Sequence, residues 1–138
     1  MGEVKLKEKK AKGFAGLIEA VLSPLNNTKK FKEKFVTTNV KVLLNAINLD
    51  HAALIILENG TLRVEGVENK PKENLKKKKI GWNALLEMDS QIFFAIAMNR
   101  LSMPGVIKNW LRGKIKMKGI RKLLILLKVF SLLNEDNN

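Results

Sequence analysis

The sequence predicts an α+β domain: a five-stranded, mostly antiparallel sheet covered on one side by helices. Three observations carry this reading. Residues 36–47, 52–57 and 61–67 are β-branched or alternating apolar runs divided by turn residues. Residues 14–22, 89–102 and 121–133 place apolar side chains at helical spacing. Between the last two helical stretches, Lys114, Lys116 and Lys118 alternate with Ile115 and Met117, framed by Gly113 and Gly119.

Residues 1–12 form a basic, flexible lead-in. In the first helix Phe14, Leu17, Ile18, Val21 and Leu22 share one side, and Ser23-Pro24 ends it because a residue before proline avoids the helical region. Asn27 or Thr28 caps a short second helix that carries Phe31 and Phe35. Residues 36–47 contain helix-compatible Leu and Ala. Val40, Val42, Leu44 and Ala46 nonetheless alternate among β-branched neighbours, so a strand is expected. Residues 52–57 are apolar on both faces and mark an interior strand. Asn59-Gly60 is the strongest turn signal, and residues 61–67 return as the third strand.

Residues 68–79 read as a long Lys-rich loop around Pro71. A fourth strand follows at 80–88, with Ile80, Trp82, Ala84, Leu86 and Met88 on one face. Asp89 or Ser90 caps the next helix. Ser102 caps another at Met103-Pro104, which Gly113 stops. Strand 114–118 and a Leu-rich helix from 121 to 133 complete a single domain over residues 13–133, followed by a polar tail at 134–138.

The chain has 138 residues, enough to bury a core without a staple, and no Cys, which excludes disulfides and thiolate metal sites. With one His, a zinc site would need carboxylates, and none has that spacing. The net charge of +13 favours anionic partners: nucleic acid, lipid headgroups or acidic proteins. No run reaches the ~18 apolar residues of a spanning helix, and the charged N-terminus lacks a signal-peptide core, so a cytoplasmic protein is expected. His51 must serve any catalytic triad alone, and Gly13 and Gly16 form no phosphate loop. No enzyme and no cofactor are expected.

The order ENGTLRVEGV, GWNALLEMDSQIFFAIAMNRLS, a Pro-initiated helix, and WLRGKIKMKGIRKLLILLKVFSLL resembles the sterol-carrier-protein domain, a non-specific lipid-transfer family. The resemblance covers residues 36–133. It rests on Glu87 to Asp89 leading into Phe93 and Phe94, and on Gly113 to Gly119. One departure is Ile120, where the family usually has an acidic, cap-like residue. The resemblance implies a hydrophobic tunnel between sheet and helices that binds sterols or isoprenoids, fatty acids or fatty acyl-CoAs, without catalysis.

The terminal helix is apolar around more than the third of its circumference that a surface helix hides. Either it is buried or one flank lines a cavity. The expected tunnel residues are Trp82, Ala84, Leu86, Phe94, Met98, Met103, Ile107, Trp110, Ile115, Met117, Leu123, Leu126, Leu127 and Phe130. Core packing is the other reading for the methionines and above all for Trp82. A tail of ~14 methylenes offers on the order of 11 kcal/mol gross on burial, so affinity requires no polar group. Lys108, Arg112, Lys114, Arg121 and Lys122 are expected to meet headgroups or an anionic membrane. Two other readings compete: a nucleic-acid-binding module, which lacks aromatics among its Lys runs, and an adaptor that docks a partner helix in the groove. Specific nucleic-acid binding is not expected; a monomer or weak dimer is.

Overall fold

The computed structural model describes residues 13–97 and 103–136. The lead-in at 1–12, Met98 and the proposed cap Ser102 lie outside the described residues. Helix α1 spans Gly13–Leu22 and buries Phe14, Ala15, Ile18 and Leu22. A 3-10 turn at Ser23–Asn27 absorbs Pro24 and leads into α2, Lys29–Lys34. The Thr28 hydroxyl caps α2 by accepting from the Phe31 N–H at 3.4 Å. Phe31 then packs at a tilt against Phe35 with ring centroids 5.2 Å apart.

Strands β1 (Asn39–Ala46), β2 (His51–Glu58) and β3 (Thr61–Glu68) form an antiparallel meander. Residues 36–38 precede the sheet rather than join it, because Phe35 ends α2 and the chain must first turn. Asn59 and Gly60 both take positive φ, as the tight β2–β3 turn requires. On the outer edge, the Asn26 amide pairs with the Leu62 backbone in both directions, at 2.7 and 2.8 Å. A side chain thus occupies hydrogen-bonding groups that an edge strand would leave open.

The stretch expected to be a loop is partly helical: a 3-10 turn at Lys72–Leu75, then α3 at Lys77–Ile80, which ends at Gly81. Strand β4 is correspondingly shorter than expected, Ala84–Met88. It lies parallel to β1, and β5 (Lys116–Lys118) runs antiparallel to β4. The sheet order is β3-β2-β1-β4-β5, mixed through that one parallel pair. Asn83 splices the joint: its side chain accepts from the Lys41 N–H at 2.8 Å, and its own N–H donates to the Lys41 carbonyl at 2.7 Å.

Helix α4 spans Ser90–Ala97, and the Asp89 carboxylate caps it by accepting from the Gln91 N–H at 2.8 Å. Helix α5 is Met103–Leu111. It closes with two bonds, Lys114 N–H to the Asn109 carbonyl at 2.9 Å and Gly113 N–H to the Trp110 carbonyl at 3.0 Å. This is a Schellman arrangement around Gly113 at φ +79°. A Cβ there would meet open space. Gly113→Ala is therefore expected to cost only the left-handed backbone penalty of about 1–2 kcal/mol, lowering the thermal midpoint by about 4–8 °C in a melting experiment. Helix α6, Ile120–Asp136, ends the described chain.

The strand alternation splits the core in two. Val42, Leu44, Ala53, Ile55, Val64 and Met88 face the helices and join Phe14, Phe31, Phe93, Leu126 and Val129 in the main core. Leu43, Ala52, Leu54, Ile56 and Leu85 face the other way and are covered by Leu75, Ile80 and Trp82. The long helices thus lie on one face, and the 70–82 segment closes a smaller second core. No helix among the described residues is long and apolar enough to cross a membrane.

Candidate functional site: an apolar cavity under the terminal helix

Helix α6 does not lie flush on the sheet. Leu123, Leu126, Val129 and Leu132 recur every three residues and are buried. A second stripe, Ile120, Leu124 and Leu127, is displaced around the helix toward α5. A cavity of about 190 Å³ lies between the two stripes, the sheet and α5. Its floor is Leu86 and Met88 of β4 with Met117 of β5. Ile18 of α1 and Phe93 and Ile96 of α4 close one end; Val106, Ile107 and Trp110 of α5 form the side wall. Helix α6 contributes Ile120, Leu123, Leu124, Leu126, Leu127 and Phe130. Every lining residue is apolar or aromatic, so the space offers dispersion contacts and almost no hydrogen-bonding group.

Four lining residues are also open to solvent: Ile107 at 47%, Trp110 at 39%, and Ile120 and Leu124 at 50% each. They mark the mouth, between α5 and the start of α6. An apolar cavity of ~150 Å³ holds benzene, so this one accommodates a short segment of an aliphatic chain, and the rest must pass through the mouth.

Of the residues expected in a tunnel, Leu86, Ile107, Trp110, Met117, Leu123, Leu126, Leu127 and Phe130 line the cavity. Ala84 and Ile115 are buried in the main core beside it without lining it. Phe94 packs edge-on against Phe14, centroids 6.1 Å apart, and does not line the cavity. Trp82 needs correction. It sits on the opposite face of the sheet, donates its indole N–H to the Leu75 carbonyl at 2.8 Å, and carries the Lys77 ammonium 5.7 Å from its ring centre. The physical reason is α3: its turn ends at Gly81 and breaks the strand phase that placed Trp82 with Ala84. Met98 lies outside the described residues, and of Met103 only the backbone, at the start of α5, is described.

Ile18, Met88, Phe93, Ile96, Val106, Ile120 and Leu124 line the cavity without having been expected there. Ile120 is informative. Gly119, not an acid, immediately precedes α6, its carbonyl accepting from the Lys122 and Leu123 N–H groups at 2.9 and 3.1 Å. The following position is thereby left to an apolar side chain at the mouth.

A second, polar network fastens the parallel joint from the other side. Asn69 donates to the Asn45 side chain at 2.9 Å, and Asn45 donates to the Glu87 carboxylate at 3.1 Å. Among the described residues no group of three or more His, Asp or Glu could hold a metal ion.

A sheet of this order, with one parallel pair, helices on one face and an apolar cavity between, is the sterol-carrier-protein fold. The solved UbiJ-SCP2 ubiquinone synthesis protein shares it with a TM-score of 0.61 at 10% identity, over 91% of this chain and 98% of that one. The stereoselective inverting sec-alkylsulfatase Pisa1 from Pseudomonas sp. matches with a TM-score of 0.52 at 22% identity over 73% of this chain. The chain spans only 14% of that enzyme's length. No family model and no curated protein sequence matches the chain.

Proposed function

We propose that this protein binds single-chain lipids, such as a fatty acid, a fatty acyl-CoA or an isoprenoid, with the apolar end in the cavity and the polar end at the mouth. The observation that carries the reading is the wholly apolar cavity with its open end between α5 and α6. The sterol-carrier-protein fold supports it, as does the resemblance of residues 36–133 to that family. Affinity then comes from methylene burial at about 0.8 kcal/mol each, less the cost of association, which favours chain length over chemical identity. Exposed Lys108 and Arg112 beside the mouth suit a carboxylate or phosphate headgroup. The role is carriage rather than catalysis.

The two tryptophans provide the test. Trp110 lines the cavity and Trp82 does not. Titration with a medium-chain fatty acid is expected to shift the emission of Trp82→Phe, which retains Trp110, and to leave that of Trp110→Phe unchanged. Organic extraction of the freshly purified protein should also release a lipid in stoichiometric amount. An empty extract together with unresponsive Trp110 emission would sink the reading.

A further inference from the structure

We infer that the mouth of the cavity is a docking face for anionic bilayers, formed by the C-terminal half of α5 and the first turn of α6. This deepens the lipid-cavity reading by naming the surface with which the cavity exchanges its cargo.

Residues 90–133 contain nine Lys and Arg and no Asp or Glu; all thirteen acidic residues of the chain lie outside this stretch. Within it the fold exposes a compact set of apolar side chains: Ile107, Trp110, Leu111, Ile120 and Leu124. Leu111 is 78% exposed and does not line the cavity, so cavity-building does not account for it. Lys108, Arg112, Lys114, Arg121 and Lys122 are exposed and interleave with these residues along the chain. Lys116 and Lys118 are excluded from the face. They flank Met117, whose side chain lines the cavity, so they point to the opposite side of the sheet. Ion pairs that neutralise cations elsewhere, Lys29–Glu33, Arg63 with Glu58 and Glu65, and Lys70–Asp50, all lie outside this stretch.

The combination selects its partner. A second copy would cover the apolar residues but oppose two identical sets of cations. A nucleic acid would neutralise the cations but has no use for Leu111, Ile120 or Leu124, and the face offers one aromatic ring for stacking. An anionic bilayer satisfies both halves. Its headgroups meet the Lys and Arg side chains, and the apolar residues enter the headgroup–acyl boundary, where Trp is favoured. Cargo then moves between bilayer and cavity without crossing water.

The test is co-sedimentation of the full chain with vesicles of phosphatidylcholine, with and without phosphatidylserine. Binding is expected only with phosphatidylserine and should weaken as salt rises. Lys108→Glu with Arg112→Glu should lower the partition coefficient by about 25-fold or more, and Leu111→Ser by about tenfold. Circular dichroism checks that each variant is folded; both changes are at exposed positions. Equal binding to the two vesicle types, or a Leu111→Ser protein that binds like the parent, would overturn the inference. So would retention on a DNA duplex at a salt concentration that releases the vesicles, or a dimer that Leu111→Ser abolishes. Uptake of a fluorescent fatty acid without vesicles is read in parallel. Uptake without vesicle binding removes the docking face alone; vesicle binding without uptake removes the cavity reading and leaves the docking face standing.

Discussion

Val106→Trp is expected to reduce fatty-acid uptake at least a hundredfold while leaving the protein folded. Val106 is half-buried on α5 and lines the cavity. An indole in its place occupies space that the chain otherwise leaves empty. If it displaces about four methylenes of a bound tail, the loss is about 3 kcal/mol, or two orders of magnitude in affinity. The fold is spared because the atoms around an apolar void lack partners on that side, and filling it restores contacts. Overpacking would instead cost about 1–3 kcal/mol. Urea unfolding distinguishes the cases: an unchanged midpoint with lost uptake supports the cavity as the binding site. Uptake equal to that of the parent in a folded variant would place the ligand elsewhere. Leu124→Trp, at the mouth and half-exposed, provides a second obstruction that perturbs the core less.

Gly119→Ala is expected to be the most destabilising small substitution, at about 2–5 kcal/mol. Gly119 has φ +72°, and a Cβ there would lie 2.5 Å from the Asn83 carbonyl oxygen and 3.1 Å from the Ala84 Cα. Both are backbone atoms in the joint where Asn83 couples β4 to β1, so neither can swing aside as a side-chain end would. The left-handed backbone accounts for about 1–2 kcal/mol, and the forced displacement for about 1–3 kcal/mol more. Gly113→Ala is the internal control, with a similar φ and open space around its Cβ. Denaturant titration of the two variants side by side isolates the steric part. Equal losses would show that Gly119 is required only for its backbone angle.

Local rules made much of this architecture legible in the sequence. Thr28 and Asp89 act as caps, Asn59-Gly60 forms the turn, Gly113 ends α5, alternation identifies β1 and β3, and a short run apolar on both faces identifies β2, because each depends on neighbours within a few residues. Non-local features were not legible in the same way. Nothing near residues 42–46 shows that they pair in parallel with 84–88, since that choice depends on how two distant segments pack. Trp82 illustrates the error that follows: alternation extended back through Gly81 assigned it to the wrong face. The cavity was half legible. The excess apolar circumference of α6 signalled it, and the stripe Ile120, Leu124, Leu127 could have been separated from the buried one by spacing alone. Ile18 could not, because α1 reaches the cavity only through the tertiary fold.

The parallel pairing of β1 with β4 also divides the folding of the chain in time. The β1–β3 meander closes through short turns, whereas contacts between β1 and the 83–87 segment span 42 residues and carry a larger loop-closure entropy. The meander is expected to form first, with Val42, Leu44 and Ile55 uncovered until β4, β5 and α6 dock. The cavity takes its floor from β4 and β5 and its roof from α6, so it exists only after that last step. A molecule bound there recognises the finished state and nothing earlier. It should slow unfolding and leave the folding rate unchanged.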